Sequence, residues 1–362
     1  MSDAATRNGR RLAVVKLGSS TLTDGEGRVD RAYLADLAYQ VNRARKAGWD
    51  VIIVSSGSIP CGLEALGMPL ERPKHMPTVQ AAASVGMRAL LAAYDQVFSP
   101  YGILTSLVLL TRRDTADRTA YLHARDTFHR LVELGCVPIV NENDTVSVEQ
   151  IKFGDNDTLA ALVACLADAD RVVILSDIEG LFTANPQTHP DATLIKRVDR
   201  ITPAIMEGAT GAGSAVGSGG MITKLTSARV LGAAGIPLVI CHGRAESAVL
   251  HALDDEPIGT LFTAKERRHK ITPRKLWIAL GDAVRGRITV DDGAAEAITL
   301  RGKSLLFVGI SRFEGEFVAG GVVDVLDESG YVIARGLARC DARDMRTGED
   351  IAIHRDELIV FE

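Results

Sequence analysis

Residues 12–20 read LAVVKLGSS and residues 51–62 read VIIVSSGSIPCG. Each stretch is a short run of mostly apolar, β-branched residues that ends in glycine and serine, a pattern that predicts a buried strand followed by a tight turn. Four further apolar runs recur along the chain, at Ile103–Leu110, Val137–Val140, Arg171–Leu175 and Pro237–Ile240. Because these runs are continuous rather than alternating, they favour a parallel sheet that is buried on both faces.

Segments with helical periodicity separate the predicted strands. They are 31–47, 78–93, 118–134, 158–166 and 223–234, and the first has Asp30 as a candidate N-cap and Gly48 just after its end. Strands that alternate with helices predict an α/β fold, here a three-layer sandwich with a central, mostly parallel sheet.

The pattern changes near residue 265 and predicts a second domain. Residues 1–265 form the predicted catalytic domain, the charged stretch 266–274 a linker, and residues 275–362 a small β-rich module that closes as a barrel. The 11 Lys and Arg and 16 Asp and Glu residues from 275 to 362 account for the whole formal net charge of −5.

Composition excludes several classes of protein. The chain has 362 residues, of which 46% are hydrophobic and 24% charged, as in a folded globular protein. No apolar run reaches the ~20 residues of a membrane span, and the first residues lack the apolar segment of a secretion signal. Five scattered cysteines without a CxxC pair indicate reduced thiols. We therefore expect a cytoplasmic protein with no membrane partner, and the mild acidity does not favour nucleic acid as a partner.

Polar residues follow the predicted strands, where ligands bind in sheets of this kind. Lys16, before Gly18-Ser19-Ser20, is either an edge lysine or a phosphate ligand. The run Ser56–Gly62 is either a plain turn or a backbone cradle for an anion. The clusters Asn141–Asp144 and Gly154–Thr158 are either turns and helix caps or a polar site for the ammonium and carboxylate of an amino acid.

The run Gly217–Lys224 is a glycine-rich loop that leads into a helix with an early lysine. It does not have the GxxxxGK[ST] order of a Walker A loop, and its alternative interpretation is a flexible linker. Two lysines, glycine-rich loops and carboxylates at strand ends together favour phosphoryl transfer, which depends mainly on positioning and charge neutralisation. An acceptor that is itself a carboxylate is ionised at pH 7 and needs no general base.

The sequence resembles the glutamate 5-kinases of the amino acid kinase superfamily over almost its whole length. The resemblance rests on VVKLGSS at 14–20, PIVNENDTV at 138–146, IKFGDNDTLAALVA at 151–164, LSDIEGLFTANP at 175–186 and GSGGMITKL at 217–225, together with the run at 51–62. The C-terminal module is similar to a PUA domain. The family implies transfer of phosphate from ATP, with Mg²⁺, to the side-chain carboxylate of L-glutamate, giving L-glutamyl 5-phosphate in the first step of proline biosynthesis.

The resemblance also implies roles for individual residues. Lys16, Lys224 and Asp157 would be catalytic, with Asp155 and Asp157 orienting the reacting groups. Ser56, Asp144 and Asn156 would bind glutamate. The nucleotide would be bound by Lys16, Ser176, Asp177, Ser218, Gly219, Gly220, Met221, Ile222, Thr223 and Lys224. Proline as an inhibitor, a homo-oligomer (dimer or tetramer) and a downstream glutamate-5-semialdehyde reductase are expected as well; the metal ligands stay undefined.

Three features depart from the family pattern, and two other functions stay open. Pro60 and Cys61 replace smaller residues after Ser56, Met87 stands where glutamine is usual, and the end from Ala338 is short. A kinase acting on another acceptor, such as N-acetylglutamate, is one alternative. An RNA-binding or regulatory protein with a degenerate kinase domain is the other.

Overall fold

The computed structural model describes residues 9–111, 114, 117–146, 156–210, 220–264, 272–280, 284–345 and 351–361. Its larger part is built on one eight-stranded sheet. The strands are β1 (Arg11–Leu17), β2 (Trp49–Ser55), β3 (Thr105–Leu110), β4 (Val137–Glu142), β5 (Arg171–Ser176), β6 (Arg197–Val198), β7 (Leu238–His242) and β8 (Thr260–Phe262). Their order across the sheet is β3-β4-β2-β1-β5-β7-β8-β6.

All neighbouring strands in this sheet are parallel except β7 and β8, which pair antiparallel. From β1 the chain first builds the sheet outward through β2, and later crosses to the other side of β1 to add β5. The strand order therefore reverses between β1 and β5, and ligands of open α/β sheets bind at such a reversal, beyond the carboxyl ends of the strands.

The helices of this part lie on both faces of the sheet. They are α1 (Ser19–Leu22), α2 (Arg31–Lys46), α3 (Ser58–Ala65), α4 (Met76–Phe98), α5 (Arg118–Glu133), α6 (Asn156–Leu166), α7 (Pro203–Thr210), α8 (Met221–Ala233) and α9 (Ala248–Leu253). One core packs α2, α4 and α9 on one face, and another packs α5, α6 and α8 on the other. The predicted three-layer α/β fold is confirmed.

Strand β1 sends alternate side chains to the two cores, because successive residues of a strand point to opposite faces. Ala13, Val15 and Leu17 pack in the core with α2, whereas Leu12 and Val14 pack in the core with α6 and α8. Lys16 is two residues after Val14 and four after Leu12, so its side chain lies on the same face of the strand as theirs, the face that α6 and α8 cover.

The predicted ends of α2 are also found. The Asp30 side chain accepts a hydrogen bond from the backbone N–H of Tyr33, as an N-cap does. Gly48, just beyond the helix, has φ +91°, the left-handed conformation that glycine adopts without a steric penalty. Most other predicted strands and helices are present with ends shifted by a few residues.

The prediction that Ser56–Gly62 forms a loop is wrong, because residues 58–65 are helix α3. Pro60 lies in its first turn, where a backbone N–H has no partner inside the helix and proline is tolerated. Helix α3 packs very closely on α4: a Cβ on Gly62 would lie 1.7 Å from the Ala82 carbonyl oxygen, and one on Gly86 equally close to that of Ser58. Gly62 and Gly86 therefore serve close helix packing.

The C-terminal module is β-rich, as predicted. Its strands are β9 (Gly286–Val290), β10 (Leu305–Leu306), β11 (Ile310–Gly315), β12 (Val322–Leu326), β13 (Val332–Leu337), β14 (Ile351–Ile353) and β15 (Leu358–Val360), with helix α11 (Asp292–Thr299) after β9. Five of them form a sheet in the order β11-β9-β12-β13-β15, and β10 pairs with β14 in a separate two-stranded sheet. The module has its own apolar core.

Helix α10 (Pro273–Leu280) begins inside the predicted linker and lies between the two parts. Its residues Leu276, Ile278 and Ala279 belong to the core that contains α6 and α8, together with Val322 and Phe361 of the module. The two parts therefore share one continuous apolar core, and the domain limits at 265 and 275 stay a prediction. No helix within the described ranges is long and apolar enough to cross a membrane.

Candidate active site

A cluster of three buried charged side chains lies at the carboxyl end of β1. The Asp157 carboxylate, which has no exposed surface, is 2.5 Å from Lys16 Nζ through Oδ1 and 2.9 Å from Lys224 Nζ through Oδ2. Lys16 is 7% exposed and Lys224 5%. We name Lys16, Asp157 and Lys224 the charge cluster. One carboxylate thus fixes the positions of both predicted catalytic lysines.

Three elements bring the charge cluster together. Lys16 is contributed by β1, Asp157 by the first turn of α6, and Lys224 by the first turn of α8. Helices α6 and α8 pack against each other in the same core as the even-numbered residues of β1. Burial raises the pKa of Asp157, but the two lysine ammonium groups outweigh that effect, so its pKa lies below the usual range.

A polar pocket adjoins the charge cluster on the side of β2 and β4. The Asn156 side-chain amide donates hydrogen bonds to Ser55 O (3.1 Å), Ser56 Oγ (3.0 Å) and Asn141 Oδ1 (3.0 Å). The Ser58 hydroxyl donates to Asp144 Oδ2 at 3.1 Å. We name Ser56, Ser58, Asn141, Asp144 and Asn156 the acceptor pocket. The structure thus brings together all three residues that the sequence predicted for glutamate.

Asp144 differs in its electrostatics from Asp157. Burial raises the pKa of Asp144, and the Ser58 hydrogen bond and the charge of Arg72 only partly offset that rise. A carboxylate in this state is one that a nearby cation would stabilise.

Met87, one of the departures from the family pattern, lies in the wall of the acceptor pocket. Its side chain is buried, and Asn141 Nδ2 donates a weak hydrogen bond to Met87 Sδ at 3.5 Å. Cys61 is buried as well, in the core with α2 and α4, and burial raises the pKa of its thiol to about 12. Cys61 is therefore an inert, buried residue of α3.

The carboxyl ends of β5 and β7 lie on the other side of β1. The Ser176 hydroxyl donates to Asp177 Oδ1 at 3.0 Å, and the Ser176 carbonyl accepts from the Gly243 N–H at 2.7 Å. Gly220 precedes α8, and the Thr223 hydroxyl donates to its carbonyl at 2.7 Å. Met221 and Ile222 complete the first turn, half-buried. Of the residues predicted at the nucleotide, Ser218 and Gly219 lie outside the described residues, as does Asp155.

Sequence reasoning missed three residues that support the acceptor pocket. Asn141 belongs to the Asn-Glu-Asn-Asp run, but the sequence offered no reason to assign it a separate role. Ser58 belongs to the predicted loop and was not assigned a role either. Tyr94 of α4 carried no signal: its buried hydroxyl is 2.8 Å from Ser55 Oγ, and Ser55 Oγ also donates to the Ser56 carbonyl at 2.9 Å. Helix α4 thereby supports the backbone that presents Ser56.

A cavity of about 290 Å³ adjoins the acceptor pocket between α4 and the edge strand β3. Its apolar wall consists of Met87, Leu91, Leu107 and Leu109 together with Ala83, and its polar end includes Asp144 and Arg88. The cavity therefore combines two carboxyl groups, those of Asp144 and Glu142, with a guanidinium group and an apolar surface.

Comparison with protein-family models matches residues 11–242 to the amino acid kinase family and residues 286–354 to the PUA domain. The chain is 45% identical to the glutamate 5-kinase of Moorella thermoacetica, over 99% of this chain and 98% of the relative. It is 44% identical to the glutamate 5-kinase of Aliivibrio salmonicida, over 96% and 98%. Among solved structures, it is similar to UMP kinase from Ureaplasma parvum, with a TM-score of 0.48 and 14% identity over 70% of this chain and 99% of that one.

Proposed function

The chain belongs to the glutamate 5-kinase family, and on that premise we propose that it transfers the γ-phosphoryl group of ATP to the side-chain carboxylate of L-glutamate. The observation that supports this most directly is the charge cluster: two lysine ammonium groups are held at one carboxylate, where the strand order of the sheet reverses. The acceptor pocket lies on one side of it and the ends of β5 and β7 on the other, so acceptor and donor would meet at Lys16 and Lys224.

The reaction needs positioning and charge stabilisation rather than proton transfer. A glutamate side-chain carboxylate is ionised at pH 7, so one of its oxygens forms the new bond to phosphorus directly. The bond between the γ-phosphorus and the bridging oxygen breaks, and ADP leaves with that electron pair. Lys16 and Lys224 would stabilise the negative charge that spreads over the transferring group, while Asp157 orients their ammonium groups.

The acceptor pocket suits an amino acid with a free ammonium group. Asp144 would bind the α-ammonium, because its carboxylate is half-buried and its pKa is raised by burial. Ser56 would donate its hydroxyl to a carboxylate group, since its Oγ accepts from Asn156. The Asn156 amide donates to three protein oxygens and would bind the ligand by exchanging one of them. An N-acetylated amine carries no charge and would leave the Asp144 carboxylate without a cationic partner from the ligand, which favours glutamate over N-acetylglutamate as the acceptor.

Mg²⁺ bound to the nucleotide phosphates would neutralise part of their charge. Within the described ranges, no group of three or more His, Cys, Asp and Glu side chains could hold a metal ion. Asp157 is engaged by both lysines. The residues therefore fit a metal ion that arrives on the phosphates and takes few protein ligands.

Inhibition by proline at a site that overlaps the acceptor pocket is part of the same proposal. The 290 Å³ cavity supports it, because Asp144 and Arg88 could pair with the amino and carboxyl groups while Leu107, Leu109 and Met87 contact the ring. A place in cytoplasmic proline biosynthesis, a homo-oligomer and a reductase that consumes the labile acyl phosphate follow from the family and stay proposals.

ADP release with Mg-ATP tests the proposal, with L-glutamate, N-acetyl-L-glutamate, L-aspartate and UMP compared as acceptors, each with and without proline. We expect turnover with L-glutamate alone, suppressed by proline. Turnover with a different acceptor would keep the phosphoryl-transfer site and overturn the substrate. No turnover with any of the four would overturn the kinase proposal and favour the RNA-binding alternative, which a steep salt dependence of RNA affinity would then test.

A further inference from the structure

Arg229 is a buried cation on the helix that carries Lys224. Its side chain is 8% exposed. The guanidinium carbon lies 4.9 Å from the ring centroid of Tyr331 and 4.5 Å from that of Phe361, and Nη2 donates to the Val332 carbonyl. All three partners belong to the C-terminal module. Arg229 thus joins α8 to the module by one hydrogen bond and two cation–π contacts.

Lys224 and Arg229 face different partners across the same helix. At 100° per residue, five residues correspond to about 140° around the axis and about 7.5 Å along it. Lys224 faces Asp157 of α6, while Arg229 faces the module. Leu225, Ala228 and Leu231 of the same helix lie in the shared apolar core. Helix α8 is therefore held between its active-site contact and the module.

Burial of Arg229 costs free energy that an apolar residue would not cost. Desolvation lowers the pKa of the Arg229 guanidinium, and the nearby Tyr331 and Asp324 oppose that effect. A leucine or methionine would pack in this apolar surrounding without desolvation. The arginine contributes directional contacts instead. Its planar guanidinium group contacts two rings and one carbonyl, and these contacts fix the rotation of α8 about its own axis, which non-directional hydrophobic contacts do not.

Polar contacts at the same interface are also made by residues outside α8, and α8 shares the apolar core with Val322 and Phe361 of the module. The Tyr331 hydroxyl donates to the Ile201 carbonyl at 2.5 Å, and Arg335 donates to the Ala279 carbonyl of α10 at 2.9 Å. Arg274 of α10 pairs with Glu357 at the exposed edge of the interface. Arg274 is therefore a comparison for Arg229: an exposed arginine at the same interface that joins α10, rather than α8, to the module.

We propose that Arg229 is a positioning residue for phosphoryl transfer, which fixes Lys224 relative to Asp157 by clamping α8 to the C-terminal module. The module is then part of the catalytic scaffold and not an independent appendage. This inference rests on the proposed function, since its kinetic consequence is measured on the glutamate reaction. Its structural consequence, the fixed orientation of α8, is measurable without turnover.

The kinetic test compares Arg229→Met, which keeps the length of the side chain without its charge, with Arg274→Ala. We expect kcat to fall about 10-fold in R229M, with the KM for glutamate within about twofold, because the acceptor pocket does not include α8. R274A should have the same kcat and the same KM for glutamate as the unchanged protein. Arg229→Lys should recover part of kcat, since an ammonium group keeps the charge but not the planar stacking. The inference would be overturned if kcat of R229M equalled that of the unchanged protein, or if kcat of R274A fell as much as that of R229M.

Amide hydrogen exchange over residues 221–233 gives the readout that does not depend on activity. Exchange should be faster in R229M than in R274A, with the strands of the sheet unchanged. If R229M does not fold, Phe361→Leu removes one face of the clamp from the module side, and the same criteria apply. Absence of turnover in the unchanged protein would defeat the proposed function alone, whereas identical exchange in R229M and R274A would defeat the clamp alone.

Discussion

The charge cluster and the acceptor pocket each contain an aspartate, fully buried in the first and half-buried in the second, and the two carboxylates differ in what surrounds them. Asp157 lies between two lysine ammonium groups, and its pKa falls below the usual range even though burial acts to raise it. Asp144 accepts a hydrogen bond from Ser58, and its pKa is raised by burial. Asp157 is thus a counter-ion built into the protein, whereas Asp144 has no such close pair of ammonium groups among the residues that the structure describes and, under the proposed function, would receive its cation from the ligand. A pair of carboxylates with pKa values shifted in opposite directions indicates two different roles in one site.

The largest effect is expected from removal of the built-in counter-ion. Asp157→Asn keeps the shape of the side chain but leaves two buried ammonium groups facing each other, which should lower the free energy of unfolding by about 3–5 kcal/mol. Urea denaturation followed by circular dichroism measures this. Asp254→Asn, at an exposed helix end, serves as the control and should change little. If D157N lowered the free energy of unfolding by less than about 1 kcal/mol, Asp157 would not be an essential counter-ion of the two lysines, and the contrast with Asp144 would fail.

Removal of one lysine from the charge cluster should affect the transition state rather than acceptor binding. Lys224→Ala leaves Asp157 paired with Lys16 and leaves the acceptor pocket in place. We expect kcat to fall by about 10²–10³, with the KM for glutamate within about threefold. Steady-state kinetics with Lys46→Ala, an exposed lysine of α2, as control provides the measurement. A KM that rises while kcat stays constant would assign Lys224 to ground-state binding.

The opposite kinetic pattern is expected in the acceptor pocket. Asp144→Asn keeps an acceptor for the Ser58 hydroxyl but removes the charge that would pair with the substrate ammonium. The KM for glutamate should rise about 10- to 30-fold, or about 1.4–2 kcal/mol, with kcat within a few-fold. Asp254→Asn again controls for general effects. If glutamate affinity is unchanged in D144N, Asp144 does not bind the ammonium group.

The smallest effect concerns stability and its pH dependence. Because the folded-state pKa of Asp144 lies above its unfolded value, the ionised carboxylate costs stability at pH 7, and this cost disappears as the pH falls below the unfolded pKa of about 3.9. Asp144→Asn should therefore raise the free energy of unfolding at pH 7 by less than about 1 kcal/mol. This gain should shrink as the pH falls through the raised folded pKa towards the unfolded pKa of about 3.9. For Asp157 the sign is reversed: its stabilisation is present above the unfolded pKa and is lost as the pH falls through the lowered folded pKa.

Chemical denaturation of D144N and the unchanged protein between pH 3.5 and 7.5, without glutamate, checks this sign. A destabilised D144N at pH 7, or a gain that does not vary with pH, would contradict the inferred state of the Asp144 carboxylate.

The local sequence was sufficient to predict a strand or a helix wherever a pattern repeats over a few residues. The apolar runs located most strands, and the N-cap at Asp30 located the start of α2. The first apolar run also placed Lys16 near the end of β1. Helix α3 was missed because its glycine and proline residues are typical of a turn. The close contact of α3 with α4 at Gly62 and Gly86 joins residues that are distant in the chain, so the local pattern did not indicate it.

The sequence by itself determined the α/β fold, the position of Lys16 at a strand end and the polar character of the segments that form the acceptor pocket, because strand periodicity, helix capping and turn chemistry are local properties. Only the tertiary structure decided that Asp157 joins both lysines and that Arg229 ties α8 to the C-terminal module. Asp157 and Lys224 are 67 residues apart in the chain. Their contact depends on how α6 and α8 pack over β1, and packing is a property of the whole core.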